Sequence, residues 1–421
     1  MIYRYIIIAF SLLTISCIHN PTGGITGRMS ITLDMSGINN LMIDTARCVS
    51  ISIREAGRLD FDKLVDYIEY IPLETNNKSL LGNIDKLIIH SNRFYILDKN
   101  QARSVFIFDK KGNHINTIAA IGRGPKEYVS LGNMTVDKYN NEIVLLDDSS
   151  YALLYYDLDG NFLRRDKIGI RMFDFARISK DDFILFSGSA FNRQLPDAEF
   201  FGITIGDPAK GIKWKGFKLD EFFRELHIMG NNHFYQKDTC IFYSGPFTNE
   251  VYQIFPDGNA KLRYKFIFPN GNETLYKNTG KVAFEFISEA VRRDMWYCLG
   301  NNFIETDGFM ISCFTKGDKM VLLTYDKTAK EYIATFTSVF PGSGRVVGNL
   351  IPVTSDGECL FAVINQSSIM NYKSMIKAGK IPAGWKLPEI LSERQENDNP
   401  VIVKYTINSP VSKAYINDIT I

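Results

Sequence analysis

The sequence predicts an all-β fold: a six-bladed β-propeller with four-stranded antiparallel blades, an N-terminal strand closing the last blade, and small helical insertions. Three observations carry that expectation. A strand-and-hairpin unit recurs at a nearly fixed offset. The composition favours strands, with 30 Phe and 21 Tyr in 421 residues, because aromatic side chains pack well on pleated surfaces. One alternating segment ahead of the first unit has no hairpin partner of its own. At 45% hydrophobic and 23% charged residues the chain has ample material for a core. Its length does not force several domains, since propellers run long as one unit.

The N-terminus has the layout of an export signal. Arg4 supplies the positive start, Ile6-Ile7-Ile8-Ala9-Phe10-Ser11-Leu12-Leu13 the apolar stretch, and Ser16 a small residue before Cys17. The stretch is shorter than the ~20 residues a bilayer span needs. The segment resembles a bacterial lipobox, with Leu13 four residues before the cysteine rather than the commoner three. That resemblance implies acylation of Cys17 by palmitate-type chains, each buried methylene adding ~0.8 kcal/mol of membrane affinity. Residues 1–17 are therefore expected to be a lipoprotein signal, 18–60 a tether and N-terminal extension, and 61–421 the propeller. Ile18-His19-Asn20-Pro21-Thr22-Gly23-Gly24 is polar and Gly/Pro-containing, as a tether should be. It lacks an acidic run of the surface-export kind, which points to the periplasmic side of the outer membrane.

Before the first unit, Tyr67-Ile68-Glu69-Tyr70-Ile71-Pro72-Leu73 alternates and is expected to supply a strand to the last blade. The repeat then begins. Phe94-Tyr95-Ile96-Leu97-Asp98 matches Glu142-Ile143-Val144-Leu145-Leu146-Asp147, and Phe108-Asp109-Lys110-Lys111-Gly112-Asn113 matches Tyr156-Asp157-Leu158-Asp159-Gly160-Asn161. The offset is 49 residues from Asp98 to Asp147 and 48 from Asp109 to Asp157. In the second element an aromatic ends a strand, Asp accepts hydrogen bonds from the turn, and Gly permits positive φ. Phe255-Pro256-Asp257-Gly258-Asn259 repeats it one residue shorter, and Tyr325-Asp326-Lys327-Thr328 repeats it without glycine. Six units follow at 84–119, 133–168, 173–217, 232–268, 301–338 and 346–408, matching the propeller template. Val282, Phe286, Ile287, Ala290 and Val291 predict a helix within 278–294. Residues 374–399 predict a helix-and-loop insertion in the sixth unit.

Three segments carry a family resemblance: Tyr70-Ile71-Pro72-Leu73-Glu74-Thr75, Ile121-Gly122-Arg123-Gly124-Pro125-Lys126-Glu127-Tyr128, and Asn397-Asp398-Asn399-Pro400-Val401-Ile402-Val403. With them the chain resembles the six-bladed β-propeller lipoproteins of Bacteroides-type bacteria, distantly similar to NHL-repeat propellers. The resemblance covers nearly everything after residue 60. It implies the fold and a cell-envelope location, and no settled activity.

The expected ligand-binding candidates are Arg123, Lys126, Glu127, Tyr128 and Trp385. Gly122 and Gly124 allow a tight turn and close approach, Arg123 and Lys126 offer cationic donors, and Tyr128 offers a stacking face with a hydroxyl. Loops of this kind can converge on a propeller's axial opening. The competing expectation is structural, with Arg123 paired to a neighbouring blade's carboxylate. Trp385, between Gly384 and Lys386, is the aromatic best placed to be exposed, whereas Trp214 is expected in a core.

Other chemistries find less support. His227 and His233 lack a metal-ligand spacing. Asp147-Asp148 reads as a turn cap rather than a calcium site. Cys240, Cys313 and Cys359 read as small buried hydrophobes, and no Gly-x-Ser-x-Gly elbow is present. With Lys+Arg at 48 and Asp+Glu at 47, nothing suggests nucleic acid. The sequence thus predicts no cofactor and no metal. It predicts an envelope protein that binds a peptide, glycan or partner protein and meets the membrane only through its N-terminal lipid. The alternative is a calcium-dependent propeller enzyme of the lactonase or polysaccharide lyase type, an analogy at the level of fold alone.

Overall fold

The computed structural model describes residues 31–57, 64–188, 192, 201–219, 232–245, 247–269, 283–298, 303–337, 350–381 and 386–408. Three short strands come first, β1 (Asn39–Asn40), β2 (Met42–Asp44) and β3 (Val49–Ser52), then β4 (Val65–Pro72). Blade one holds β5 (Lys86–His90), β6 (Arg93–Asp98), β7 (Ser104–Asp109) and β8 (His114–Ile118). Blade two holds β9 (Leu131–Asp137), β10 (Glu142–Asp147), β11 (Ala152–Asp157) and β12 (Phe162–Lys167). Blade three holds β13 (Asp174–Arg177), β14 (Phe183–Phe186), β15 (Phe201–Asp207) and β16 (Gly211–Lys218). Blade four holds β17 (Phe234–Lys237), β18 (Cys240–Tyr243), β19 (Glu250–Ile254) and β20 (Asn259–Ile267). Helix α1 (Ala283–Arg292) precedes blade five: β21 (Trp296–Tyr297), β22 (Phe303–Glu305), β23 (Phe309–Lys316), β24 (Lys319–Asp326) and β25 (Glu331–Phe336). Blade six holds β26 (Thr354–Ser355) and β27 (Leu360–Ile364), then helices α2 (Gln366–Lys377) and α3 (Glu389–Ser392), then β28 (Val401–Ile407). The fold is the expected six-bladed β-propeller, and β4 is the strand that completes blade six, in the order β26-β27-β28-β4.

The burial pattern follows from blades being covered on both faces. Inner strands such as β10 and β11 are buried almost end to end, so they read as continuous apolar runs. Outer strands such as β8 and β12 are mostly half-buried or exposed. The hairpin signature works as its chemistry requires. Asp109 Oδ1 accepts from the Lys111 and Asn113 N–H groups at 2.8 and 2.9 Å. Asp157 repeats this with Asp159 and Asn161 at 3.0 and 2.8 Å, and Gly112 and Gly160 take φ of 88° and 87°. Burial pushes the Asp109 carboxyl up, but the hydrogen bonds from Asn113 and Lys111 more than offset it and leave it below its usual range.

The chain divides into two compact units, formed by the described residues of 1–53, 119–301 and 315–318, and of 54–118, 302–314 and 319–421. In the first, Val144, Leu146 and Leu153 of blade two pack with Phe175, Phe183 and Leu185 of blade three. Ile184, Ile203 and Ile205 of blade three likewise pack with Ile241, Tyr243 and Ile254 of blade four. In the second unit, Ile71, Phe361 and Ile402 of blade six pack with Phe94, Ile96 and Phe106 of blade one.

Several details depart from the expectation. Residues within 18–60 contribute strands: β1 pairs parallel with β16, and β2 and β3 pair parallel with β20. Blade five begins earlier than residue 301, because Trp296 and Tyr297 pair with Lys316 and Thr315. The insertion in blade six starts at Gln366 rather than residue 374. The Ser368 and Ile369 N–H groups bond to Asn365 O and Ile369 is fully buried, so the chain turns helical as soon as β27 ends. On α1, Phe286 and Ala290 are buried but Val291 is exposed, because only one side of the helix meets the core. Cys313 is buried as expected, while Cys240 and Cys359 are half-buried. Cys240 is no mere hydrophobe, since the Gln253 amide approaches its Sγ at 3.2 Å.

Candidate functional site

The segment 121–128 is a closed loop. An isolated parallel bridge joins Ile121 to Tyr128, with Gly122 N donating to Tyr128 O at 3.0 Å and Tyr128 N to Ala120 O at 2.8 Å. Inside it the Glu127 carboxylate accepts from Gly124 N at 2.7 Å. A Cβ on Gly122 would meet that carboxylate, so the glycine leaves room for Glu127 inside the loop.

The loop is clamped from behind by Arg165, to which no sequence motif points, and by Asp147, the expected turn cap. Arg165, on β12, donates to Glu127 O at 2.6 Å and to Gly124 O at 3.4 Å. Its other nitrogen lies 3.3 Å from Asp147 Oδ2. Asp147 is fully buried and also accepts from the Val129, Ser130 and Ser150 N–H groups at 3.1, 3.2 and 3.2 Å. It therefore caps its turn, as expected, and ties that turn to the connection between blades. A signal for this was present in the repeat. Asp98 makes the equivalent staple in blade one, accepting from Gly82, Asn83 and Gln101. Arg165 lies 48 residues after Thr117 and Glu127 lies 49 after Lys78; Thr117 Oγ1 donates to Lys78 O at 2.7 Å. The same position on the fourth strand thus holds the same loop carbonyl in both blades, by a hydroxyl in one and a guanidinium in the other.

The candidate side chains separate into two groups. Arg123 and Lys126 are exposed. Arg123 makes no ion pair among the described residues, so the expected pairing with a neighbouring blade's carboxylate is not formed there; the arginine that does hold the loop, Arg165, pairs with Asp147 of its own blade. Lys126 Nζ sits 5.8 Å from the centre of the Phe162 ring. Glu127 points inward as described, and Tyr128 is fully buried, so it offers no stacking face, because its backbone is drawn in by the bridge to residues 120–122. Beneath Lys126, Phe162 meets Tyr156 edge-on at 5.6 Å, and burial pushes the Tyr156 phenol well up. Trp385 and Cys17 lie outside the described residues. Trp214 is half-buried against the blade three and four core, as expected, and Trp296 is buried against Phe268.

A second polar constellation joins the first strands of successive blades. Asp174 accepts from Asn133 Nδ2 at 3.0 Å and from His233 N at 2.7 Å. Arg177 Nε bonds to Asp137 at 2.7 Å, with its guanidinium 3.7 Å over Phe183. These groups are buried and engaged with one another, so they stitch blades two, three and four. Among the described residues no three His, Cys, Asp or Glu side chains gather as a metal site, and no helix is long and apolar enough to cross a membrane.

The family described as a domain of unknown function, DUF4934, matches residues 47–406. No curated protein matches the chain. Among solved structures, a Bacteroides fragilis protein described as exported aligns at 18% identity and TM-score 0.69, over 86% of this chain and all of that one. A member of the DUF4221 family from Bacteroides vulgatus aligns at 11% identity and TM-score 0.45, over 82% and 97%. Virginiamycin B lyase from Staphylococcus aureus aligns at 9% identity and TM-score 0.36, over 70% and 80%. The first shares the fold, and the last two are too remote to carry an argument.

Proposed function

The chain belongs to the DUF4934 family, and from that premise we propose that it is a binding or scaffolding propeller of the bacterial cell envelope, tethered by lipid at Cys17 on the periplasmic side of the outer membrane. Its loop at 121–128 meets an anionic group on a peptide, glycan or partner protein. The observation that carries this reading is the division of labour in the loop. Arg165 and Asp147 fix the backbone from behind, so the ordering cost is met before a ligand arrives, while Arg123 and Lys126 project into solvent. An arginine fork beside a lysine suits carboxylate or phosphate. The export layout at residues 4–17, and the described exported character of the Bacteroides fragilis protein that shares the fold, support the envelope location.

The test is an Arg123→Ala/Lys126→Ala double variant of the full chain, screened with wild type against glycans and cell-wall peptides. Binding should fall at least tenfold while the melting temperature stays within about 2 °C, since exposed substitutions shift stability by no more than ~0.5 kcal/mol. Arg165→Ala should instead lower the melting temperature as well. Full ligand retention by the double variant would remove the loop from the reading. A Cys17→Ser variant that stays in the membrane fraction would remove the anchor.

A further inference from the structure

The segment ahead of the propeller strands lies in a track. Asp34 N donates to Lys210 O at 2.9 Å and Ile212 N to Asp34 O at 3.1 Å. Asn39 and Asn40 then pair with Trp214 and Lys215. Met42, Ile43 and Asp44 pair with Asn259, Ala260 and Lys261, and Val49 to Ser52 pair with Tyr264 to Ile267. Glycines make the room. A Cβ on Gly169 would come within 2.7 Å of Leu33, one on Gly211 within 2.6 Å of Asp34 O, and one on Gly216 would collide with Leu41. Leu33, Leu41, Ile51 and Ile53 are buried as anchors, whereas Met42, Ile43 and Val49 stay exposed, Met42 at 53%.

We propose that the edges of β16 and β20 form a strand-exchange site, filled by the chain's own residues 33–53 in the monomer and by the same residues of a second copy in a dimer. This goes beyond the loop-binding reading and does not depend on it. Two features carry it. The ladders are short, of two, three and four residue pairs, with Leu41 and residues 45–48 between them outside any ladder. Such a segment opens locally while the blades stay folded. The track is also specific, because leucines seat against glycines at fixed positions, and the one sequence shown to fit is this chain's own. Exchange with a second copy reforms every contact, so only the association entropy opposes it. Beyond Ile53 the backbone enters no ladder before the isolated bridge of Gly57 to Thr335.

The experiment uses the full chain in a Cys48→Ser background. One population carries Ser50→Cys and the other Lys265→Cys, exposed and half-buried positions that are register partners in the parallel ladder. On mixing under mild oxidation, a disulfide-linked dimer should accumulate with concentration. It should exceed by at least tenfold the yield from a Ser36→Cys population mixed with Lys265→Cys, which lies out of register. The Ser50→Cys/Lys265→Cys double variant, oxidised while dilute, locks its own segment in place and should form no such dimer. A yield no greater than the out-of-register control overturns the proposal, as does a dimer that the locked variant forms equally well.

Discussion

The N-terminal region attaches to the blades in two contrasting ways. From Asp34 to Ser52 it lies as short parallel ladders on the outer strands of blades three and four, with most side chains exposed. From Val65 to Pro72 it becomes β4, an antiparallel partner of β28 through Pro72↔Val401, Ile71↔Ile402 and on to Val65↔Ile407. The second attachment is also clasped. Asn399 Oδ1 accepts from Leu81 N at 2.9 Å, its amide donates to Glu74 O and Ser79 O at 2.7 and 2.6 Å, and its own N–H donates to Thr75 Oγ1 at 2.9 Å. Arg394 holds Asn399 O at 3.0 Å and Lys373 holds Arg394 O at 2.6 Å, so the helical insertion braces the clasp. The blade one hairpin joins in: Glu74 N donates to Gly112 O at 2.8 Å, and a Cβ on Gly112 would collide with Pro72 O. The first attachment, residues 34–52, is a strap that covers open sheet edges that would otherwise invite pairing. The second, β4 with its clasp at Asn399, is the latch that completes blade six.

The comparison breaks most easily at Asn399. The residue is fully buried, and Asn399→Ala leaves the Leu81 N–H and the Ser79 carbonyl without the partner they have here, while the Glu74 carbonyl keeps the Ser79 hydroxyl. At ~1–3 kcal/mol for each unsatisfied group, the loss should total about 2–4 kcal/mol by urea unfolding. A change under about 1 kcal/mol would mean that the antiparallel ladder alone makes the closure.

Leu41→Ala sharpens the contrast from the other side. Truncating a buried leucine costs about 2–5 kcal/mol, and the low end applies where the site can open to solvent. The loss should therefore appear as local opening. The N–H groups of Leu41, Met42 and Ile53, which donate to Lys215, Gly258 and Ile267 carbonyls, should exchange about 30-fold faster, a change of ~2 kcal/mol, while urea unfolding shifts by less than about 1 kcal/mol. Equal falls in global stability for Leu41→Ala and Asn399→Ala would make strap and latch one cooperative unit.

The latch was legible in the sequence and most of the strap was not, for a physical reason. Residues 67–73 alternate strongly, and their lack of a hairpin partner pointed to the far end of the chain. Two of the three family segments, around residues 70–75 and 397–403, turn out to meet each other at Asn399. In the strap, Val49-Ser50-Ile51-Ser52-Ile53 carries the same period-two alternation, but Asn39 to Asp44 carries none. A parallel edge strand has no turn to announce it, and its partner lies more than 160 residues away, from Asn39 to Trp214. The loop at 121–128 was found by its glycines and charges. The arginine that holds it from behind does not show there, because a sequence shows that an arginine is near in order and not which arginine is near in space. Arg165 holds the Glu127 carbonyl where blade one has Thr117 holding that of Lys78, a match carried by the repeat and not by any local motif.

The smallest expected effect separates the two attachments by pH. The His114 ring lies edge-on to Phe108 at 5.6 Å, with Nε2 2.8 Å from Thr117 Oγ1, and Thr117 holds Lys78 O in the latch. Burial lowers the His114 pKa, against a smaller opposing pull from the Glu74 carboxylate. A histidine whose folded value lies below its unfolded value of ~6.5 contributes its full share above that pH and loses it as pH falls through the folded value. Glu74, held below its usual range first by the His114 N–H and then by the Asn76 amide, acts in the same direction at lower pH. In the strap, Asp34 is lowered by hydrogen bonds from Ser36, so its window lies below ~3.9. Between pH 7.5 and 5, after correction for intrinsic exchange, protection of the Glu74 and Leu81 N–H groups should therefore fall while that of Leu41 and Met42 holds. A His114→Gln variant should flatten the latch's response. If strap and latch amides lose protection together, or if His114→Gln leaves the response intact, the pH sensitivity belongs to the blades as a whole and not to the closure.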